Sequence, residues 1–312
     1  MKYLVTGGAG FIGSHLVEAL LQNGNEVVIL DNLSTGSREN LRHLWHDFEL
    51  IEGDVRDADT CLQAARNCDG IFHEAALVSV FDSIERPRDN HDINTTGTLN
   101  VLEAARLNGC KRVVYASSAA IYGNNPELPK NELMLPEPLS PYGSVKIAGE
   151  YYLKAHAEQY NMSCIALRYF NVYGPRQNPN SVYSGVISKF VDCALKGLHP
   201  TIFGDGRQTR DFVFVEDVVQ ANIRAMQTPL EQPFFNCNIA TGISTSLLDL
   251  VDALQAITRT LPDPIFKMER PGDIRHSLAN ITRAHKFLGY QPLKTDLKAN
   301  LCSILDSDLV LA

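Results

Sequence analysis

Six short runs in the first half of the chain are almost unbroken in apolar, β-branched or aromatic residues: Tyr3–Thr6, Glu26–Asp31, Phe48–Glu52, Gly70–His73, Arg112–Ala116 and Ser163–Arg168. Strands buried on both faces of a parallel sheet read this way, whereas a strand with one wet face alternates. Between the runs, apolar residues recur at helical spacing near Phe11–Gln22, Ala58–Ala65, Asn94–Leu107 and Tyr142–Gln159. Strand alternating with helix predicts an α/β fold, a doubly wound parallel sheet covered by helices on both faces. After about Arg168 the rhythm changes. Gly174-Pro175, Asn178-Pro179-Asn180 and Gly204-Asp205-Gly206 are turn signals, and helices are expected at Tyr183–Leu195, Glu216–Met226, Thr245–Ile257 and Thr282–Leu288 with short strands between them. Residues 1–170 therefore read as one domain and 171–312 as a smaller α/β region, with an interleaved boundary.

Composition narrows the functional classes. Hydrophobic residues are 45% and charged residues 21%, ordinary for a globular chain. The net charge of −8 repels phosphate backbones, so nucleic acid is not the expected partner. Seven cysteines, widely spaced and without a C-x-x-C pair, fit reduced thiols in a cytoplasm better than a disulfide scaffold. No apolar run has the length of a membrane span. Lys2–Thr6 breaks into glycines instead of extending as the apolar core of a signal peptide. No zinc helix is expected, because His73-Glu74 is followed by Ala75-Ala76-Leu77 and lacks the second histidine.

The first strand runs into Thr6-Gly7-Gly8-Ala9-Gly10-Phe11-Ile12-Gly13, which opens the first helix. Both G-x-G-x-x-G and G-x-x-G-x-x-G spacings are satisfied. Glycines there permit a tight turn, close approach of a pyrophosphate, and close helix–strand packing, and the helix N-terminus offers free N–H groups. This context predicts a Rossmann-type dinucleotide site. Asp31 ends the second strand eighteen residues after Gly13. A carboxylate there can accept both ribose hydroxyls and repels a 2′-phosphate, which favours NAD over NADP. The other reading is a turn aspartate in Asp31-Asn32-Leu33-Ser34. Asp54-Val55 follows the third strand, where Asp54 either meets the adenine amine or, like Asp57, caps a helix.

Tyr142 and Lys146 stand four residues apart, on one face of a helix. A cation beside a phenol favours the phenolate, and an oxidised nicotinamide adds to this. The pair suits removal of a hydroxyl proton while hydride leaves the same carbon. Ser117-Ser118 ends the Lys111–Ala116 strand, on the ligand side of such a sheet. Ser118 either donates to the reacting oxygen or caps a turn.

With these residues in view, the chain resembles an extended short-chain dehydrogenase/reductase of the NAD-dependent sugar-nucleotide epimerase/dehydratase family. The resemblance runs through Thr6–Ser14, Asp31-Asn32-Leu33, Gly53–Asp57, His73-Glu74-Ala75-Ala76, Asn94–Thr98, Tyr115–Ser118, Ser140–Lys146 and Arg168–Pro175. It implies Ser118, Tyr142 and Lys146 as the catalytic triad. It also implies bound NAD held by Gly7, Gly10, Phe11, Ile12, Gly13, Asp31, Asn32, Asp54, Val55, Ala75, Asn94, Ser117, Tyr142 and Lys146. A homodimer is implied too, through a four-helix bundle built from the Asn94–Leu107 and Tyr142–Gln159 helices.

Which reaction follows is read against the family. Its dehydratases carry an acidic pair after the strand serine or threonine, where this chain has Ala119-Ala120, and alanine cannot move a proton. A decarboxylase lacks its usual glutamate here for the same reason. What remains is 4-epimerisation of a UDP-sugar through a 4-keto intermediate, with NAD regenerated each turnover. The second half resembles the family's nucleotide clamp. Phe203 in Thr201–Gly206 is expected to edge the uracil, Arg210 and Arg270 the diphosphate, and Asp273 the ribose. The alternative is surface arginines paired with Asp211 and Glu269. Ser277 resembles the small residue of UDP-N-acetylglucosamine 4-epimerases, leaving room for a 2-acetamido group. Ser79, Asn171 and Gly185 match wall positions of that group, and Val78 stands where that group has glycine. Other readings are a UDP-uronic acid 4-epimerase, with Arg176, Arg207 or Arg275 on the carboxylate, and a catalytically silent NAD-binding regulator.

Overall fold

The computed structural model describes residues 1–44, 46–178, 185–269 and 274–311. The first half contains β1 (Lys2–Thr6), α1 (Phe11–Gln22), β2 (Glu26–Asp31), β3 (Glu49–Glu52), α2 (Ala58–Ala64), β4 (Gly70–His73), α3 (Val80–Glu85), α4 (Pro87–His91), α5 (Gly97–Leu107), β5 (Arg112–Ser118), α6 (Pro141–Tyr160) and β6 (Ser163–Tyr169). Then come β7 (Asn171–Tyr173), α7 (Val186–Lys196), β8 (Thr201–Phe203), β9 (Thr209–Arg210), β10 (Phe212–Phe214), α8 (Val215–Gln227), β11 (Phe234–Ile239), β12 (Thr245–Ser246), α9 (Leu247–Thr258), β13 (Ile265–Lys267), α10 (Thr282–Leu288) and α11 (Leu297–Leu311).

Seven parallel strands form the central sheet in the order β11-β6-β5-β4-β1-β2-β3. The strand order reverses between β1 and β4, and a ligand crevice opens at the carboxyl ends of strands at such a point. The apolar runs are continuous because both faces are covered. Val5, Val114 and Leu167 pack in one core with Leu16 and Val17 of α1 and Val218 of α8. Their neighbours Leu4, Val113 and Ala166 pack in the opposite core with Val101 and Leu102 of α5 and Leu153 of α6. A third core joins α7, α9 and α11 under the short strands β7, β8 and β10.

The helix expected at Thr245–Ile257 begins two residues later. Thr245 and Ser246 pair instead with Arg210 and Thr209, and the Ser246 side chain then caps α9 in a reciprocal box with Asp249. The expected helix at Asn94–Leu107 opens with a π-helical turn, Asp92–Thr96, before regular α5. Beyond residue 170 the chain does not stay apart from the first half. β11 pairs with β6 at the sheet edge, and α8 packs on α1. The seven cysteines are free thiols. Among the described residues no helix is long and apolar enough to cross a membrane.

Candidate active site

The turn after β1 is shaped for a dinucleotide. Gly7 has φ +69°, and a Cβ on it would come within 2.7 Å of the Ala75 nitrogen. A Cβ on Gly13 would run into the Gly7 carbonyl. A Cβ on Gly8 would come within 2.8 Å of Ile29, so glycines of both spacings are closely packed. Gly10 is the N-cap of α1 and brings no side chain to its first N–H groups, which favours an anion there. Phe11 and Ile12 open the helix.

Asp31 ends β2 beside this turn. One carboxylate oxygen accepts from the Ala9 N–H at 2.9 Å and the other from the Leu33 N–H at 2.8 Å. Each oxygen keeps a second lone pair for a ribose hydroxyl. Burial pushes the Asp31 carboxyl up, against those two bonds. Asn32 donates to Asp54 at 2.8 Å, and Arg56 also grips Asp54, whose carboxyl is held down at about 2 chiefly by that guanidinium. The helix cap next door is Asp57, whose side chain accepts from Asp59 and Thr60. Val55 is buried between α2 and α5. Asn94 lies in the π-helical turn, where its side chain exchanges two 3.0 Å bonds with the Leu77 backbone. It thereby clamps the segment that follows Ala75. These residues fit NAD.

Tyr142 sits in the first turn of α6. Ser140 caps that helix by accepting from the Gly143 N–H at 3.2 Å, and Pro141 fixes the first position. Lys146 follows one turn later, 2% exposed, and donates to the Ala116 carbonyl at 2.8 Å. Its ammonium lies 5.7 Å from the centre of the Tyr142 ring. Ser118 is the last residue of β5. Its hydroxyl accepts from the Ala120 N–H at 3.1 Å and lies on the side of the Tyr142 phenol, whose proton loss it eases. Of the two sequence readings of Ser118, the turn cap is the one seen in the structure.

The electrostatics correct one expectation. Lys146 was expected to favour the phenolate, yet the Tyr142 phenol is pushed up to about 12, first by burial, with the Ser118 bond opposing and Glu74 adding to the rise. Lys146 is itself pushed down to about 8 by desolvation, with Glu74 opposing. The ammonium keeps its charge while bonded to the Ala116 carbonyl, and burial of the phenol is the larger effect. A phenolate here needs further positive charge.

Ser117 was assigned to the cofactor. Its hydroxyl instead donates to Glu150 at 2.5 Å. Glu150 in turn takes a bidentate pair from Arg168, at 2.9 and 2.7 Å, and Arg168 reaches the Tyr122 hydroxyl. All but Tyr122 sit within one turn or one residue of the triad or of the strand beside it. Residues 142, 146 and 150 continue one face of α6. The Arg168–Glu150 pair, each partner 2% exposed, fastens that face to β5 and β6. Sequence reasoning passed over Glu150, although its spacing extended the Tyr142–Lys146 stripe. It also gave no role to Glu74, which lies at the crevice floor with its carboxylate bonded to Tyr169 at 2.8 Å.

A cavity of about 460 Å³ lies between β7, α7, β8 and β9. Asn171, Gly185, Phe203 and Arg210 line it together, joined by Lys189 and Gln208, which were not anticipated. Arg210 reaches the Thr209 and Arg275 carbonyls. Asp211, proposed as its alternative partner, turns inward and accepts from Thr241, Gly242 and Ala279. Ser277 does not line this cavity. Its N–H is bonded to Thr209, which sets it beside the strand that carries Arg210. Ser79 caps α3 by accepting from the Asp82 N–H, and is buried near α6 rather than in the cavity. Arg270 and Asp273 lie outside the described residues.

Residues 3–240 match the NAD dependent epimerase/dehydratase family. The chain is 43% identical over 296 residues to a UDP-glucose 4-epimerase of Mycolicibacterium smegmatis, covering 94% of both chains. Among solved structures it resembles a UDP-N-acetylglucosamine 4-epimerase of Methanobrevibacter ruminantium in complex with UDP-N-acetylmuramic acid, at a TM-score of 0.95 and 38% identity over 100% of this chain and 99% of that one. It also resembles a UDP-glucuronic acid 4-epimerase of Bacillus cereus in complex with UDP-glucuronic acid and NAD, at a TM-score of 0.92 and 31% identity over 100% of both chains. A likeness that runs unbroken from the glycine turn to the last strand of the sheet joins both halves in one ancestry, and this chain belongs to the NAD-dependent epimerase/dehydratase family.

Proposed function

We propose that this protein is a UDP-hexose 4-epimerase, with the UDP-GlcNAc/UDP-GalNAc pair as its preferred substrate and UDP-glucose/UDP-galactose as a second pair. The observation that carries the reading is Tyr142 and Lys146 on one buried face of α6, with Ser118 at the end of β5 and alanine at the next two positions. Tyr142 accepts the C4 hydroxyl proton and later returns it, while Ser118 holds the reacting oxygen in line. Lys146 anchors the helix turn beneath them and supplies positive charge. NAD held by the glycine turn and Asp31 would supply hydride transfer at C4 and, when oxidised, positive charge beside the Tyr142 phenol. Without an acid at 119 or 120, no group beside Ser118 is available to drive loss of the C6 hydroxyl.

The cavity supports a nucleoside diphosphate, with Arg210 and Lys189 suited to phosphate oxygens. The preference for a bulky C2 substituent rests on the sequence resemblance at Ser277, which lies beside β9 outside that cavity, and on the likeness to the Methanobrevibacter UDP-N-acetylglucosamine 4-epimerase. A second reading, a uronate substrate, draws on the likeness to the Bacillus cereus enzyme. Two of the arginines considered for the carboxylate are already engaged, Arg176 by Glu18 and Arg275 by Asp205. A homodimer through α5 and α6 is part of the proposal, supported by the exposed Leu107, Tyr151 and Tyr160 on those helices.

The test is direct. Purified protein is incubated separately with UDP-GlcNAc, UDP-glucose and UDP-glucuronic acid, and the C4 epimers are resolved by chromatography. The proposal expects conversion of the first, then the second. Turnover of the glucuronate alone would transfer the assignment to the second reading, and turnover of none would return the chain to a binding role.

A further inference from the structure

Arg168 is the one charged residue within β6, and it is buried. A buried ion pair gains little stability over apolar packing of the same volume, so stability alone does not account for the residue. Its contacts give a further reason. Nε and Nη2 donate to the two oxygens of Glu150 at 2.9 and 2.7 Å, and Nη1 donates to the Tyr122 hydroxyl at 2.9 Å. The rigid fork of the guanidinium therefore points one way to α6 and the other way to the turn that follows β5.

These two arms close on Ser118 from both sides. Ser117, the residue before it, is the register partner of Arg168 and donates its hydroxyl to Glu150 at 2.5 Å. Four residues after Ser118, Tyr122 ends the short helical turn Ala119–Tyr122 that Ser118 caps. The buried Tyr122 hydroxyl accepts from Arg168 and donates to Asn238 Oδ1 at 2.6 Å. The Asn238 amide N–H groups are taken by the Lys130 and Asn280 carbonyls, at 2.9 and 3.2 Å, which leaves its oxygen for Tyr122. Every group in this chain of bonds has its direction set by the next. The turn also touches the helix that carries Tyr142: a Cβ on Gly143 would lie 2.7 Å from the Ala120 carbonyl oxygen. A displaced turn would move Ser118 and press on the first turn of α6 together.

We propose that Arg168 is a positioning residue for the Ser118 hydroxyl: held by Glu150 and Tyr122, it fixes the strand end before that hydroxyl and the turn after it. The inference rests on the reading of Ser118 and Tyr142 given above. Arg168 touches no part of the cavity between β7, α7, β8 and β9, so loss of either arm acts on the chemical step and not on the grip.

Two variants remove one arm each and leave Arg168 facing Glu150. Tyr122→Phe keeps the ring and deletes the hydroxyl, and Ser117→Ala deletes the bond on the other flank. With whichever UDP-sugar the wild-type protein turns over, kcat is expected to fall about tenfold in each, with KM within a factor of about three. A fall of less than about threefold in either variant, or a loss carried by KM, would overturn the proposal. Should Tyr122→Phe fail to fold, Ser117→Ala decides by the same criterion. A second measurement reads the turn without turnover. The Ala120 and Gly123 N–H groups are bonded within it, to the Ser118 hydroxyl and the Ala120 carbonyl. Their hydrogen exchange should quicken at least about threefold in each variant, with the amides of β2 unchanged. Unchanged exchange at the turn would overturn the proposal equally. A wild-type protein that turned over no UDP-sugar would sink the functional reading, and the exchange rates would still decide this one.

Discussion

The two ends of the crevice are held by different physics. At the sheet end, function sits on side chains that are nearly inaccessible and bonded to one another: Lys146 to Ala116, Ser117 to Glu150, Glu150 to Arg168. Each is carried by a strand of seven residues or by a twenty-residue helix. At the nucleotide end, β8, β9, β12 and β13 are two or three residues long, and their order comes from main-chain pairing and from one buried carboxylate, Asp211. The first arrangement is held by buried side-chain bonds, the second by short main-chain pairings. If the proposed function is right, chemistry depends on the first and affinity on the second, and the two should respond differently to mutation.

The sharpest way to break this contrast is Tyr142→Phe. It should reduce kcat by about a thousandfold with the cofactor still bound, as removal of an acid–base group does. Turnover and the protein-bound nicotinamide spectrum measure both halves, and a loss below tenfold would remove the phenol from the chemistry. Next in size is Arg168→Met. It leaves Glu150 buried without its counter-charge, held only by Ser117 and Asn236, and should lower stability by about 3–5 kcal/mol, read from denaturant unfolding. A change within 1 kcal/mol would mean that the pair is not what fastens α6 to the sheet.

Arg210→Ala should act on the other end only. Loss of a charge-assisted phosphate contact is expected to raise KM about ten- to thirtyfold with kcat within a factor of three. A fall in kcat with KM unchanged would contradict the division. His73 supplies a pH test. It is wedged between Thr6 at 2.7 Å and Thr98 at 3.0 Å, and burial pushes its imidazole down to about 3. The unfolded state takes up a proton below about 6.5 and the folded state does not. Stability is therefore full above that pH and is lost as pH falls toward 3, by about 2 kcal/mol at pH 5. An imidazole seen protonated in the folded protein at pH 5 by nitrogen NMR would refute this. The smallest effect belongs to Lys196→Ala, which breaks a solvent-exposed pair with Asp192 on α7. It should shift stability by no more than about 0.5 kcal/mol and leave KM alone. A larger change would show that the outer face of α7 contributes to the grip.

The same contrast explains what could be read in advance. β2, β4, α1 and α10 begin and end where the apolar pattern and the glycines put them. Tyr142, Lys146 and Ser118 were legible because helical spacing and a strand end are local facts. The two-residue β12 was read as helix, since Thr245 and Ser246 carry no local signal that outweighs their pairing with β9. β11 was not singled out either: only its partner β6, some seventy residues earlier, makes Phe234–Ile239 a strand of the main sheet. Arg168 did offer a clue, as the lone charge in the apolar run Cys164–Phe170, which demands a buried partner.

Periodicity, glycine placement and the spacing of a few polar residues were enough to determine the doubly wound fold, the dinucleotide turn and the Ser118, Tyr142 and Lys146 positions. These are properties of one element at a time, set by dihedral preference and by which face is wet. Tertiary structure alone decided the rest: that Ser117 serves Glu150, that burial outweighs Lys146 at the phenol, and that Glu74 reaches across β5 to Tyr169. Desolvation and long-range hydrogen bonds depend on what the folded chain brings alongside, and no local pattern records that.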